Sequence, residues 1–226
     1  MLDCSPDPED AAMHIDIVSD VICPWCYIGK KRLERALAAR PEIPVSTSWR
    51  GFQLNPDMPE EGMERGAYLA AKFGGQAHAS RIYGAIAAAG TGEGIRFAFD
   101  RIRRTPNTVD AHRLIRFASR SGRGEPMVEA LFRAYFTEGR DIGDRVVLAE
   151  LAQANGFDRG EVALYLAGNG GREEVLAEDR AARRLGINAV PCFIIEGGYA
   201  ISGAQEPEFF FPLFDLALNK ATAVAD

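Results

Sequence analysis

The sequence predicts an α/β protein in which two halves of one β-sheet are separated by a large inserted all-helical domain. Three observations predict it. The segment His14-Ile15-Asp16-Ile17-Val18-Ser19-Asp20 alternates apolar and polar side chains, the period-2 mark of a half-buried strand, and it feeds a helical run. Between residues 63 and 185 the strand signal nearly vanishes, and apolar residues recur at three- and four-residue spacing. Strand patterns return only near residues 191–202, before a last helix.

Taken in order, a strand over about 14–19 leads into a helix over about 24–39. Tyr27, Ile28, Leu33, Ala36 and Leu37 form its apolar face, with Lys30, Lys31, Arg32 and Glu34 on the polar one. The helix ends near Arg40-Pro41. Residues 44–50 alternate again and are rich in β-formers, so a second strand follows. Strand, helix and strand within this length make a right-handed βαβ unit with parallel neighbours. Glycine-bearing breaks then divide the helical block, and its clearest helices span 108–119, 126–137, 144–155 and 172–185. Residues 191–195 form a short apolar strand, and Gly197-Gly198 suits a hairpin turn into 199–202. A last helix runs over 206–220 and places Phe209, Phe210 and Phe211 in the core. The resulting division is a sheet domain from 13–62 and 172–226, with the insertion at 63–171. Residues 1–12, acidic and proline-containing, read as a disordered extension.

With 226 residues and 47% apolar content, the chain can bury a full core. A net charge of −6 and a pI near 5.2 argue against nucleic-acid binding, which wants a basic face. The arginines at 101, 103, 104, 183 and 184 have acidic neighbours and read as solvated surface. No apolar run reaches the ~20 residues of a membrane span. The first residues lack the basic start and apolar centre of a secretory signal, so a cytoplasmic location is expected. In that compartment paired cysteines are catalytic or metal-binding rather than structural.

Cys23-Pro24-Trp25-Cys26 carries the chemistry. Its position between strand and helix puts Cys23 at the N-cap and Pro24 at the first helical position, where a missing N–H costs nothing. The unpaired amides of the first turn and the helix dipole then point at the Cys23 sulfur, which makes it the more acidic, nucleophilic thiol. Cys26, one turn on, is the resolving thiol. A CxxC is also half of a zinc site, but zinc needs four ligands, and Cys4, Cys192, His14, His78 and His112 form no second knuckle. No metal is therefore expected, and a non-catalytic zinc- or peptide-binding module stays open as an alternative. Cys4 receives no function.

The loop Gly186-Ile187-Asn188-Ala189-Val190-Pro191 falls beside the helix that begins at Cys23. A proline entering a strand belongs at its edge or start. A cis Val190–Pro191 bond would leave the preceding backbone open to pair with an extended peptide lying over the sulfurs. Trp25 and Tyr27 flank the sulfurs as an apolar landing surface. Cys192 should turn away from Pro191 into the core as an inert thiol. Asp20 shapes the loop before the helix.

Six blocks resemble the FrnE-type branch of the DsbA-like thioredoxin-fold family: 19–29, 52–59, 106–108 with 111–114, 134–136, 186–191 and 202–205. They run in the family's order across residues 14 to about 215. The resemblance implies a thioredoxin fold with a helical insertion, a disulfide-exchange site at Cys23 and Cys26, and a cis-proline at Pro191. It sets Pro24, Trp25, Val190, Pro191, Asn107 and His112 around the substrate. Substrates would be proteins or small molecules carrying a disulfide or dithiol. No cofactor would be tightly bound, with glutathione as a candidate co-substrate. A related group is the kappa-class glutathione transferases and 2-hydroxychromene-2-carboxylate isomerases, which use glutathione on small molecules. They carry serine where Cys23 stands and lack the second cysteine, so this chain departs from them at both positions.

Overall fold

In the computed structural model, which describes residues 13–225, the alternation that opens the chain becomes strand β1 (Met13–Ser19). Its odd residues Met13, Ile15 and Ile17 are buried against Leu33 and Ala36 of α1 (Pro24–Ala38) and against Phe210 and Phe214 near the C-terminus. The chain returns as β2 (Val45–Gly51), parallel to β1, as a βαβ unit requires. After the insertion, β5 (Cys192–Ile195) pairs antiparallel with β1, and β6 (Tyr199–Ser202) pairs antiparallel with β5. The sheet order is β2-β1-β5-β6, so the sheet neighbours β1 and β5 lie more than 170 residues apart in the chain and close its two halves.

Between β2 and β5 come β3 (Met63–Glu64), α2 (Arg65–Phe73), α3 (Gln76–Gly92), β4 (Arg104–Thr105), α4 (Val109–Ser119) and α5 (Gly124–Phe136). They are followed by α6 (Arg145–Ala154), α7 (Arg159–Ala167) and α8 (Arg172–Arg184). Leu114, Leu131, Phe132, Tyr135 and Phe136 form a second, larger core that continues under Val18, Val21, Tyr27 and both Cys23 and Cys26. Helix α8 packs on α4 and on β2, joining the block to the sheet. The four clearest helices lie within two residues of where periodicity put them. Strands β3 and β4 have only two residues each, too short for any period to show.

Three details differ from the sequence reading. The last helix is α9 (Phe211–Ala225), preceded by a 3₁₀ turn at Pro207–Phe209. That turn splits the phenylalanine run: Phe210 is fully buried, whereas Phe209 is 60% exposed. The hairpin turn uses positive φ at Glu196 (50°) and Gly197 (62°), one residue earlier than Gly197-Gly198. Glu196 tolerates this because its N–H donates to His14 O (3.0 Å) and its carboxylate accepts the His14 N–H. Finally, the polar face of α1 is not simply solvated. Lys30 is buried and pairs with Glu34, with Glu125 (2.8 Å) and with Glu129 (2.8 Å) of α5. Burial alone would lower the Lys30 pKa, but the surrounding carboxylates hold it above the ordinary lysine range. Arg32 and Arg35 both bind Glu93 at the end of α3, each at 2.9 Å.

Arg183 keeps its surface position but is not idle there. Its guanidinium stacks on Phe52 (4.4 Å to the ring centre) and donates to Gln53 O (2.6 Å). The split phenylalanine run makes a direct test. Phe210→Ala should destabilise the protein by about 3–5 kcal/mol, whereas Phe209→Ala should stay within about 0.5 kcal/mol, as read by urea denaturation. Equal losses would mean that Phe209 is not the solvent-facing member.

Candidate active site

Cys23 is the N-cap of α1, with extended backbone (φ −91°, ψ 112°). Its N–H donates to Asp20 O (3.0 Å), and its carbonyl accepts the Cys26 N–H (3.0 Å), which starts the helix. The sulfur does not cap the first turn, contrary to the simplest reading of an N-cap cysteine. Instead the thiol donates to Val190 O at 3.5 Å, across 167 residues of sequence. The Val190–Pro191 peptide is cis, as the family resemblance implied. Pro191 O in turn accepts the Gly203 N–H (2.8 Å), fixing the loop to the bend that follows β6.

Helix α1 approaches this loop closely because Gly29 has no side chain. A Cβ there would lie 2.8 Å from Pro191 Cγ and 3.2 Å from the Phe193 ring. The sequence reading missed this role; the only signal was a glycine inside a helical pattern, which often marks a close approach.

The two sulfurs have unlike surroundings. Cys26 is 1% exposed, and its pKa is pushed well above the usual thiol range by burial first and by the neighbouring Cys23 second. The Ser19 hydroxyl and the Asp20 backbone act on it in the opposite direction. Cys23, 5% exposed, sits beside half-buried Pro24 and beside Trp25, which is 39% exposed. Cys192 is buried in the core, and burial pushes its thiol pKa up. All three described cysteines are free. Cys4 lies outside the described residues. Among the described residues, no group of three or more His, Cys, Asp or Glu side chains could hold a metal ion.

Other sequence-assigned residues are placed elsewhere or used differently. Tyr27 is buried, stacked on Phe132 (4.9 Å) and bonded through its hydroxyl to Glu129 (2.8 Å), so of these two aromatic residues Trp25 is the exposed one. His112 is 4% exposed, with Nε2 3.2 Å from Phe52 O and 3.5 Å from Asp20 Oδ1. It therefore joins α4 to the loop after β2 and presents no ring nitrogen to a substrate. Asn107, half-buried, donates through its amide to Met58 O (2.7 Å), and its carbonyl accepts the Val109 N–H (3.0 Å) at the start of α4. The His112 correction has a physical cause, since buried polar groups must find partners. Asp20 is fully buried and accepts N–H groups from Ile22 (3.4 Å) and Leu54 (2.7 Å), the loop-shaping part.

The insertion supplies a neighbour that no sequence pattern marked. Tyr83 of α3, its pKa raised by burial, lies within electrostatic reach of Cys23. Beyond Leu54 opens a groove of about 330 Å³, lined also by Asn55, Met58, Met63, Tyr68 and Lys72.

Comparison with known proteins agrees with this architecture. The family model for the DSBA-like thioredoxin domain matches residues 14–212, and the chain belongs to that family. The probable DsbA oxidoreductase SCO1869 of Streptomyces coelicolor is 34% identical and superimposes with a TM-score of 0.83, over 92% of this chain and 90% of that one. Two further structures share the fold. A 2-hydroxychromene-2-carboxylate isomerase is 15% identical (TM-score 0.69; 94% and 99% covered). The cytosolic disulfide reductase DsbM of Pseudomonas aeruginosa, solved with GSH, is 21% identical (TM-score 0.64; 91% and 99% covered).

Two measurements test the site. Gly29→Ala should cost about 1–3 kcal/mol in stability through overpacking against Pro191, with an unchanged far-ultraviolet circular dichroism spectrum. No loss would mean that helix and loop are not in contact. Iodoacetamide at pH 7, followed by peptide mass analysis, should leave Cys26 and Cys192 of the native reduced protein unmodified. Labelling of Cys26 would show that its thiol is not held protonated.

Proposed function

We propose that this protein is a thiol–disulfide oxidoreductase in which Cys23 is the attacking sulfur and Cys26 the resolving one. The observation that carries the reading is the Cys23 thiol at the start of α1, 3.5 Å from the carbonyl before cis-Pro191, with buried Cys26 one turn behind it. Family membership supports the reaction class.

The Cys23 sulfur attacks one sulfur of a substrate disulfide. That S–S bond breaks, the other substrate sulfur leaves as thiolate and takes a proton, and a mixed disulfide remains on Cys23. Cys26 then attacks the Cys23 sulfur, losing its proton, and releases the second substrate thiol. The protein has given up two electrons and holds a Cys23–Cys26 disulfide. Oxidation of a substrate dithiol runs the same steps backwards. The substrate's extended backbone would lie along Val190, with Pro24, Trp25 and Pro191 as apolar surroundings. No tightly bound cofactor is required, because the two sulfurs carry the electrons. Glutathione is the proposed reductant, supported by the GSH held in the DsbM structure of the same fold. A cytoplasmic location fits such a reductant. Among the described residues no helix is long and apolar enough to cross a membrane.

The small-molecule isomerase or transferase reading draws on the likeness to 2-hydroxychromene-2-carboxylate isomerase. It predicts turnover of a chromene or electrophile that survives loss of Cys26. Cys23→Ser should lower the rate of exchange with a model disulfide by at least about a hundredfold. Cys26→Ser should accumulate substrate covalently joined to Cys23, readable by mass spectrometry. Exchange at the parental rate in Cys23→Ser would refute the assigned nucleophile.

A further inference from the structure

The inward face of β1 reads Met13, Ile15, Ile17 and then Ser19. The first three are apolar and pack under α1. By strand alternation Ser19 points the same way, toward the first turn of that helix. The backbone of Ser19 is committed to the sheet: it pairs with Gly51, and its carbonyl accepts the Phe52 N–H at 2.9 Å. Its side chain is 3% exposed, yet Oγ makes no hydrogen bond of normal geometry. Among the described residues, the other such buried atom is Arg116 Nε, whose guanidinium is already bound to Glu178. A buried hydroxyl without a partner is costly, and an alanine or valine would fill the same slot without that cost.

The Ser19 hydroxyl acts on the Cys26 sulfur, lowering its pKa against the effect of burial, as does the backbone at Asp20. The groups acting most strongly on this sulfur are Cys23, Ser19 and Asp20 through its backbone; no carboxylate or imidazole side chain is among them. Cys26 must nevertheless carry negative charge twice in the exchange cycle. It does so when it attacks the Cys23 mixed disulfide, and again when an incoming thiolate displaces it from the Cys23–Cys26 disulfide.

We propose that the Ser19 hydroxyl is the hydrogen-bond donor that stabilises the Cys26 sulfur when it is negatively charged, both as attacking and as leaving group. In resolution, the Cys26 S–H proton departs to solvent or to the released substrate sulfur. The Cys26–Cys23 bond forms as the Cys23–substrate bond breaks, and Ser19 O–H turns toward the Cys26 sulfur without transferring its proton. In the reverse direction the same hydroxyl receives the displaced Cys26 thiolate. The protein thereby supports the charge with a neutral donor that does not itself change protonation state.

This inference rests on the oxidoreductase reading for its catalytic consequence, but the Ser19–Cys26 contact can be tested without turnover. In a Cys23→Ala background, thiolate absorbance gives the Cys26 pKa directly. Adding Ser19→Ala should raise that pKa by about one unit, the size of a hydrogen bond to a charged group, and Ser19→Thr should restore it. In the otherwise unaltered chain, Ser19→Ala should slow resolution of a preformed Cys23–glutathione mixed disulfide by about tenfold. Iodoacetamide labelling of Cys23 should remain at the parental rate. An unchanged Cys26 pKa in Ser19→Ala would overturn the contact. An unchanged resolution rate would overturn its catalytic part. A parental protein that never resolves the mixed disulfide would instead defeat the oxidoreductase reading, and the titration would then decide the Ser19 contact by itself.

Discussion

The close seating of helix α1 on the loop that enters β5 is the constraint on which the rest of the site depends. It is a backbone-level contact, permitted at one position by the missing side chain of Gly29, against which Pro191 and Phe193 press. Because α1 starts at Pro24, fixing the helix axis at Gly29 also fixes its first turn. The Cys23 thiol then meets the Val190 carbonyl without any long side chain having to reach for it. Arg32 adds a polar tie on the same side, donating to Ala204 O at 2.6 Å. A site held by rigid elements keeps its geometry better than one held by mobile side chains.

The helical insertion clamps the same helix from the other side. Lys30 is nearly removed from water and would be costly there alone. The carboxylates of Glu34, Glu125 and Glu129 compensate it, while Arg32 and Arg35 share Glu93. Because Lys30 has three carboxylate partners that each keep some contact with water, losing any one of them leaves its charge still compensated. The network therefore specifies how α1 docks on α3 and α5 more than it stabilises the fold outright. Glu129 also receives the Tyr27 hydroxyl, so the residue following Cys26 is tied to the insertion as well.

Between these two clamps both sulfurs are buried. Cys23, 5% exposed, lies beside the exposed indole of Trp25, and Cys26, 1% exposed, shares the core continuous with the helical block. Burial keeps Cys26 protonated and out of side reactions, and the same burial makes its ionised form expensive. A chemistry that alternates charge between two adjacent sulfurs must supply a local donor to the deeper one. That requirement follows from the cost of a charge held away from water.

Much of this protein was determined by short-range pattern. The period of β1, the amphipathic run after it, the N-cap position of Cys23 and the clearest helices all depend on residues within a turn or two of each other. Six blocks in family order added the fold and the cis bond at Pro191. The tertiary structure alone decided which polar residues were internal. His112 and Lys30 read as polar positions on helices, and each is buried among partners supplied from elsewhere in the chain. It also decided that Phe209 faces solvent, that Glu196 adopts a left-handed turn, and that Gly29 marks a contact with Pro191. The reason is physical: periodicity reports which side of an element is apolar, but burial of a charge or a missing Cβ is set by what arrives from far along the chain. For Gly29 that partner is the β5 entry at Pro191 and Phe193, and for Lys30 it is helix α5.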